Sequence, residues 1–156
     1  MSDSKKLTIV RTINAPIDRV WQAWTDAEQV QQWWGPKGAT NPTCVWESQP
    51  GGKIDIVMLA GPELGPMAGQ EWPMNGKFQT VIEQQKLVFK TTAVSRGKSI
   101  LENQVTVTFK ENGSNTELTV DIEVTKITGE GEMALQGMEA GWNQQLDKLT
   151  ERVKEV

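Results

Sequence analysis

The sequence predicts an α+β fold: a curved antiparallel sheet of about seven strands around a long C-terminal helix, with two short helices after strand 1. Three observations carry this. Apolar residues fall at helical spacing just after the first strand-like stretch, alternate with polar ones over residues 41–124, and return to helical spacing from Leu135 onward. No repeat, low-complexity tract or linker divides the chain, so residues 1–156 read as one domain. Of 156 residues 37% are apolar, and the 14 glycines raise that to about 46%, ordinary for a globular domain.

Each element has its own justification. Leu7–Ile13 is rich in β-branched residues and ends at Asn14-Ala15-Pro16, a strand running into a helix start. Ile17, Val20, Trp21 and Trp24 then share one helical face. Thr25-Asp26-Ala27-Glu28 matches a capping box with Thr25 as the cap, and opens a second helix that buries Val30, Trp33 and Trp34. Gly35-Pro36 stops it. Adjacent residues on a helix point about 100° apart, so one of Trp33 and Trp34 is expected in the core and the other at the domain end or a pocket mouth.

The period then switches to two. Pro42–Ser48 and Lys53–Leu59 flank the turn Pro50-Gly51-Gly52. Gly76–Glu83 and Leu87–Thr92 are joined by Gln84-Gln85-Lys86, and strand alternation from Leu101 to Phe109 ends at Asn112-Gly113. Leu118, Val120, Ile122 and Val124 alternate with Glu117, Thr119, Asp121 and Glu123, giving one dry and one wet face. Leu135, Met138, Trp142, Leu146, Leu149, Val153 and Val156 form the stripe of a helix over 132–155. Such a helix would be roughly 36 Å long, enough to cross the sheet.

Composition excludes several chemistries. There is no histidine, so Ser-His-Asp and Cys-His catalysis and imidazole metal sites are absent. One cysteine, Cys44, forms no internal disulfide, and it reads as a small core residue. Sixteen basic against twenty acidic side chains leave a net charge of −4, unsuited to nucleic acid or anionic membrane partners. The stretch Met1–Lys6 leads into a strand rather than a signal sequence, and no apolar run approaches the length of a membrane span. A soluble cytoplasmic protein without cofactor or metal is expected.

Arg11 to Ala15-Pro16, Val20-Trp21, Trp24-Thr25-Asp26, Trp33-Trp34-Gly35-Pro36, Pro50-Gly51-Gly52 and Gly141-Trp142 occur in an order that resembles the activator of heat-shock protein 90 ATPase homologue-like family. That family belongs to the START-related helix-grip (SRPBCC) superfamily, with calicheamicin-resistance and polyketide cyclase-like relatives. The resemblance spans almost the whole chain. It implies a helix-grip (START/Bet v-like) fold with a pocket for a hydrophobic small molecule, and no universal catalytic residue to carry over.

The expected function is therefore binding of a small hydrophobic molecule between sheet and C-terminal helix. Strand parity and the helix stripe select Ile54, Ile56, Met58, Phe78, Phe89, Val105, Met138 and Trp142 as lining. Met67 and Trp72 are placed near the mouth, on the Gly/Pro-rich loop Gly61–Trp72, which reads either as a lid or as an idle solvent loop. Arg11 and Asn103 stand on dry strand faces, where a polar group needs a partner, and are candidates to orient a ligand. Gly137 and Gly141 leave room beside Met138 and Trp142, for a close strand or for a ligand. Ser95–Ser99 is a basic loop that reads as surface.

Two alternatives stand beside binding. One is a cyclase- or dehydratase-like enzyme with a desolvated carboxylate as general base. The other is an interaction module acting on a chaperone ATPase, motivated by the resemblance alone; a homodimer is left open as the assembly. With no group titrating near neutrality and no convergent acidic ligands, binding should be unaffected by a chelator and nearly constant between about pH 6 and 8. Ligand titrations with and without EDTA across that range check this, and an EDTA-sensitive affinity or a midpoint near neutrality would contradict it.

Overall fold

The computed structural model describes residues 6–95, 98–128 and 138–154. The elements run β1 (Lys6–Ile13), α1 (Ile17–Thr25), α2 (Ala27–Trp33), β2 (Ala39–Trp46), β3 (Lys53–Ala60), β4 (Glu71–Ile82), β5 (Lys86–Ser95), β6 (Lys98–Asn112), β7 (Asn115–Ile127) and α3 (Met138–Lys154). A 3-10 segment, Pro62–Met67, broken by a kink at Gly65 (φ 57°, ψ −120°), lies between β3 and β4. The sheet has seven strands in the order β1-β7-β6-β5-β4-β3-β2, and every neighbouring pair is antiparallel. β1 and β2 are thus opposite edges, and α1 and α2 carry the chain from one to the other.

Period two decides which face is dry. Leu118, Val120, Ile122 and Val124 of β7 are buried, while on its other face Thr8 donates to Asp121 and Lys6 lies near Glu123. Register continues the dry face across the sheet: Phe78 pairs with Phe89, Phe89 with Val105, Val105 with Ile122, and Ile122 with Leu7. α3 covers this face with Trp142, Leu146, Leu149 and Val153, and Met138 packs against it half-buried. Its 17 described residues span roughly 26 Å at 1.5 Å per residue. The expected start at residue 132, and with it Leu135 and Gly137, lies outside the described residues.

Two local expectations are corrected. The N-cap of α2 is Asp26, whose carboxylate accepts from the Glu28 N–H at 3.0 Å. Thr25 instead ends α1, its hydroxyl donating to the Trp21 carbonyl at 2.9 Å. A carboxylate two residues from an orphan N–H competes well for it, and the hydroxyl has a carbonyl of its own turn within reach. Trp33 and Trp34 are both in the core, at 0% and 3% exposure. The 100° argument fails because the helix ends between them: Trp34 is extended (φ −67°, ψ 143°) and turns its ring inward.

α1 and α2 close one end of the sheet. Trp21 and Trp24 pack edge-on against Phe109 of β6, with centroids 5.0 and 6.4 Å away. The indoles of Trp33 and Trp46 donate to the Ala23 and Trp24 carbonyls at 2.9 and 2.7 Å, tying α2 and β2 to α1. Among the described residues no helix is long and apolar enough to cross a membrane.

The turn Pro50-Gly51-Gly52 joins β2 to β3 and pairs with β4: Gly51 N–H donates to Phe78 O, and Phe78 N–H donates to Gly52 O, each at 2.9 Å. A Cβ on Gly52 would fall inside the van der Waals radius of the Glu47 carbonyl oxygen. Gly51 has φ +81° but open space around it. Gly51→Ala should therefore cost about 1 kcal/mol of strain and Gly52→Ala about 2–4 kcal/mol of backbone displacement. Urea denaturation of both variants checks the ordering, and equal losses would contradict this account of the turn.

Candidate functional site

The concave face divides into a packed floor and an open end. Ile54, Ile56, Phe78, Phe89 and Val105 are all buried. Trp46 meets Phe78 and Phe89 edge-on at 5.0 and 5.2 Å, so this floor is filled by its own side chains. Further along, Met58, Trp72, Asn103 and Met138 are only half-buried. Met58 pairs with Trp72 across β3 and β4, and Trp142 of α3 remains 9% exposed. Gly141, one residue before Trp142, has open space where a side chain would stand.

The mouth differs from expectation. Trp72 is not on the loop but inside β4, held by ladder pairing with β3, and its indole N–H donates to Gln70 Oε1 at 3.3 Å. The Gly/Pro signal of this stretch comes from the 3-10 segment and the glycines Gly61 and Gly69 that flank it. Met67 ends that segment and is 44% exposed. Of the Ser95–Ser99 loop, residues 96 and 97 lie outside the described residues.

Two amides give the open end its polarity. Asn103 shares the dry face of β6 with Leu101 and Val105, beside a bulge at Thr125 of β7 where the register shifts between Glu102 and Asn103. Its Oδ1 is buried with no hydrogen-bond partner among the described residues. Opposite, Gln145 is buried on the sheet-facing side of α3, and its Oε1 accepts from the Gly35 N–H at 2.6 Å. That bond fixes which end of the amide is oxygen and leaves Nε2 buried without a partner among the described residues. Gly35 in turn abuts Met58, whose Sδ would be 2.9 Å from a Cβ at that position. Gln145 was missed in the sequence reading; its place three residues after Trp142 and four before Leu149, on the apolar stripe, was the available signal.

Arg11 is engaged by α3. Its guanidinium donates to Asp147 Oδ1 at 2.8 Å, Asn143 Oδ1 at 3.0 Å and the Asn143 carbonyl at 3.1 Å. On a half-buried face this satisfies the group and fastens the sheet edge to the helix. Among the described residues the buried polar side chains are Asn41, Thr91, Thr116 and Gln145, and none is an Asp or Glu. No cluster of three or more Cys, Asp or Glu among the described residues could hold a metal ion. Burial pushes the Cys44 thiol up to about 11, and its sulfur lies 3.7 Å from the Ala27 carbonyl.

A curved antiparallel sheet gripping one long C-terminal helix, with two short helices at one end, defines the helix-grip class. The chain belongs to the Activator of Hsp90 ATPase homolog 1-like protein family, whose model matches residues 14–154. This places it in the SRPBCC superfamily, which commonly binds hydrophobic ligands. No curated protein matches the sequence. A protein from Arthrobacter aurescens solved by NMR is 25% identical with a TM-score of 0.80, over 97% of this chain and 87% of that one. The AHSA1 protein from Silicibacter pomeroyi is 23% identical with a TM-score of 0.79, over 96% and 98% of the two chains. A protein from Chromobacterium violaceum is 20% identical with a TM-score of 0.78, over 95% and 96%.

The raised thiol yields a measurable consequence. A thiol at about 11 instead of 9.0 carries about a hundredth of the thiolate near pH 8. Cys44 in the folded protein should thus react with iodoacetamide about 100-fold more slowly than in urea. The neutral thiol also favours the fold below about pH 9, and that contribution is lost as pH rises through about 11. Alkylation at the rate of an unfolded thiol would contradict this placement of Cys44.

Proposed function

We propose that this protein binds a small, largely apolar molecule at the open end of the grip, between the β3–β6 strands and the first turns of α3. Asn103 carries the reading: a buried carbonyl oxygen without a partner costs free energy, and a ligand donor would recover it. On the same concave face Met58, Trp72, Met138 and Trp142 are half-buried or near the surface, so apolar area remains for a ligand to cover. The thioethers of Met58 and Met138 adapt to more than one shape. Ile54, Ile56, Phe78, Phe89 and Val105 form the floor below, and Met67 stands outside it. Arg11 shapes the site indirectly, by fixing α3 on the sheet. Affinity comes from apolar burial at about 25 cal/mol per Å², and the amides set orientation.

The test compares two tryptophans. Trp142→Ala removes a wall of the site, whereas Trp21→Ala removes packing against Phe109 at the closed end. Nile red, a neutral apolar probe, should bind Trp142→Ala about tenfold more weakly, equivalent to about 1.4 kcal/mol, and Trp21→Ala within about twofold of the parent. Equal binding by the two variants at matched stability would overturn the map. Native mass spectrometry of freshly purified protein adds the mass of any retained ligand and the number of subunits.

The family name favours a second reading, activation of a chaperone ATPase. Co-purification with such a chaperone and stimulation of its ATPase by this chain, undiminished in Trp142→Ala, would favour that reading over ligand binding.

A further inference from the structure

On the side of α3 away from the sheet lies an open hollow of about 480 Å³ between β1 and the end of α2. Arg11, Lys37, Lys148 and Arg152 line it, against Asp147 and Glu151. In a chain of net charge −4 this is a local excess of cations. We infer that this hollow is a second binding site, separate from the apolar one, and that it takes a small molecule bearing a phosphate monoester.

The cations differ in how far they are committed. Arg11 is spent on Asp147 and Asn143. Lys37 is loosely held, its Nζ 3.9 Å from Asp147 Oδ2 and its side chain 62% exposed. Lys148 donates from Nζ to the Trp34 and Pro36 carbonyls at 3.2 and 3.3 Å. An ammonium has three N–H donors, so one is left over. Arg152 follows Lys148 by four residues, on the same face of α3. Its Nε–H is buried without a hydrogen-bond partner among the described residues. The Nε–H and the neighbouring Nη–H form the side-on fork that matches two oxygens of one oxyanion.

Donors converge from α3 and from the loop after α2, so they suit a tetrahedral group with three free oxygens better than a planar carboxylate. The volume exceeds what a bare ion fills, which leaves space for an organic portion beside Gln32 and Thr150. Burial also holds the Lys148 ammonium below its ordinary value, as expected for a cation whose neighbours are neutral carbonyls.

The experiment is a ¹H–¹⁵N NMR titration at constant ionic strength with inorganic phosphate, then with glycerol 3-phosphate, following the Arg152 Nε–H and the Lys148 and Thr150 amides. Saturable shifts are expected, tighter for the monoester. Arg152→Met should weaken binding at least about tenfold and Lys37→Gln about two- to threefold, with Nile red binding unchanged in both. Should Arg152→Met fail to fold, Arg152→Lys keeps the charge and stem but loses the fork, and is expected to weaken binding as well. Sedimentation with vesicles containing phosphatidic acid identifies the source: recruitment without response to glycerol 3-phosphate assigns the group to a lipid, the reverse to a soluble metabolite. Shifts that grow linearly and match those caused by chloride, or an Arg152 variant that binds phosphate like the parent, would overturn the site.

Discussion

The ring of Trp34 is the contact on which the arrangement of this molecule depends. It lies 5.6 Å from Trp33, 5.2 Å from Trp46 and 5.5 Å from Trp142, and so joins the end of α2 to β2 and to α3. Tilted and edge-on pairs of this kind each add about 0.5–1.5 kcal/mol beyond the area they bury. The backbone of the same residue works with the ring. Its carbonyl accepts from Asn41 Nδ2 at 2.9 Å and from Lys148 Nζ at 3.2 Å. One extended residue at a helix terminus therefore sets where α3 lies on the sheet. The C-terminal carbonyls that α2 would otherwise leave to water are used for this purpose.

Once α3 is held there, the two ends of the concave face become unequal. Toward Phe109 the sheet is closed by Trp21, Trp24 and Trp33, and Leu146, Leu149 and Val153 complete a dry core. Toward Met58 and Trp72 the cover consists of Met138 and Trp142, with an empty place at Gly141. Register shifts in neighbouring strands, between Phe78 and Thr80, Ala93 and Val94, and Glu102 and Asn103, bend the sheet around the helix. Asn103 faces the concave side by strand alternation, together with Leu101 and Val105.

Most of the fold was legible in the sequence because it is written in periods. β7 alternates from Leu118 to Val124, and α3 repeats at three and four residues, so both faces could be read off directly. The site was less legible because it depends on partners rather than faces. Parity places Arg11 on the dry side, but only the fold brings Asp147 and Asn143 to it, 136 and 132 residues away in sequence. Trp72 read as loop because Gly and Pro crowd the stretch before it, whereas a strand edge supplied by β3 extends β4 back to Glu71. Trp34 read as one of two helical positions because the reading assumed that the helix continued through it. In each case a tertiary partner outweighed a local preference.

The chemistry of the two faces of α3 follows from what each can desolvate. On the concave face the unpaired polar atoms include an amide oxygen on Asn103 and an amide nitrogen on Gln145, and no Asp or Glu is buried among the described residues. A neutral amide without a partner costs a few kcal/mol, whereas an isolated ion in the same surroundings would cost far more or give up its charge. An apolar pocket that must be stable while empty can therefore hold amides but not ions. On the outer face Lys37, Lys148 and Arg152 stand beside an open hollow, where solvent shares the burden of their charge. On the two proposed readings the same helix offers a neutral donor and acceptor to an apolar body on one side and cations to an oxyanion on the other. A molecule suited to one face is excluded from the other by its charge.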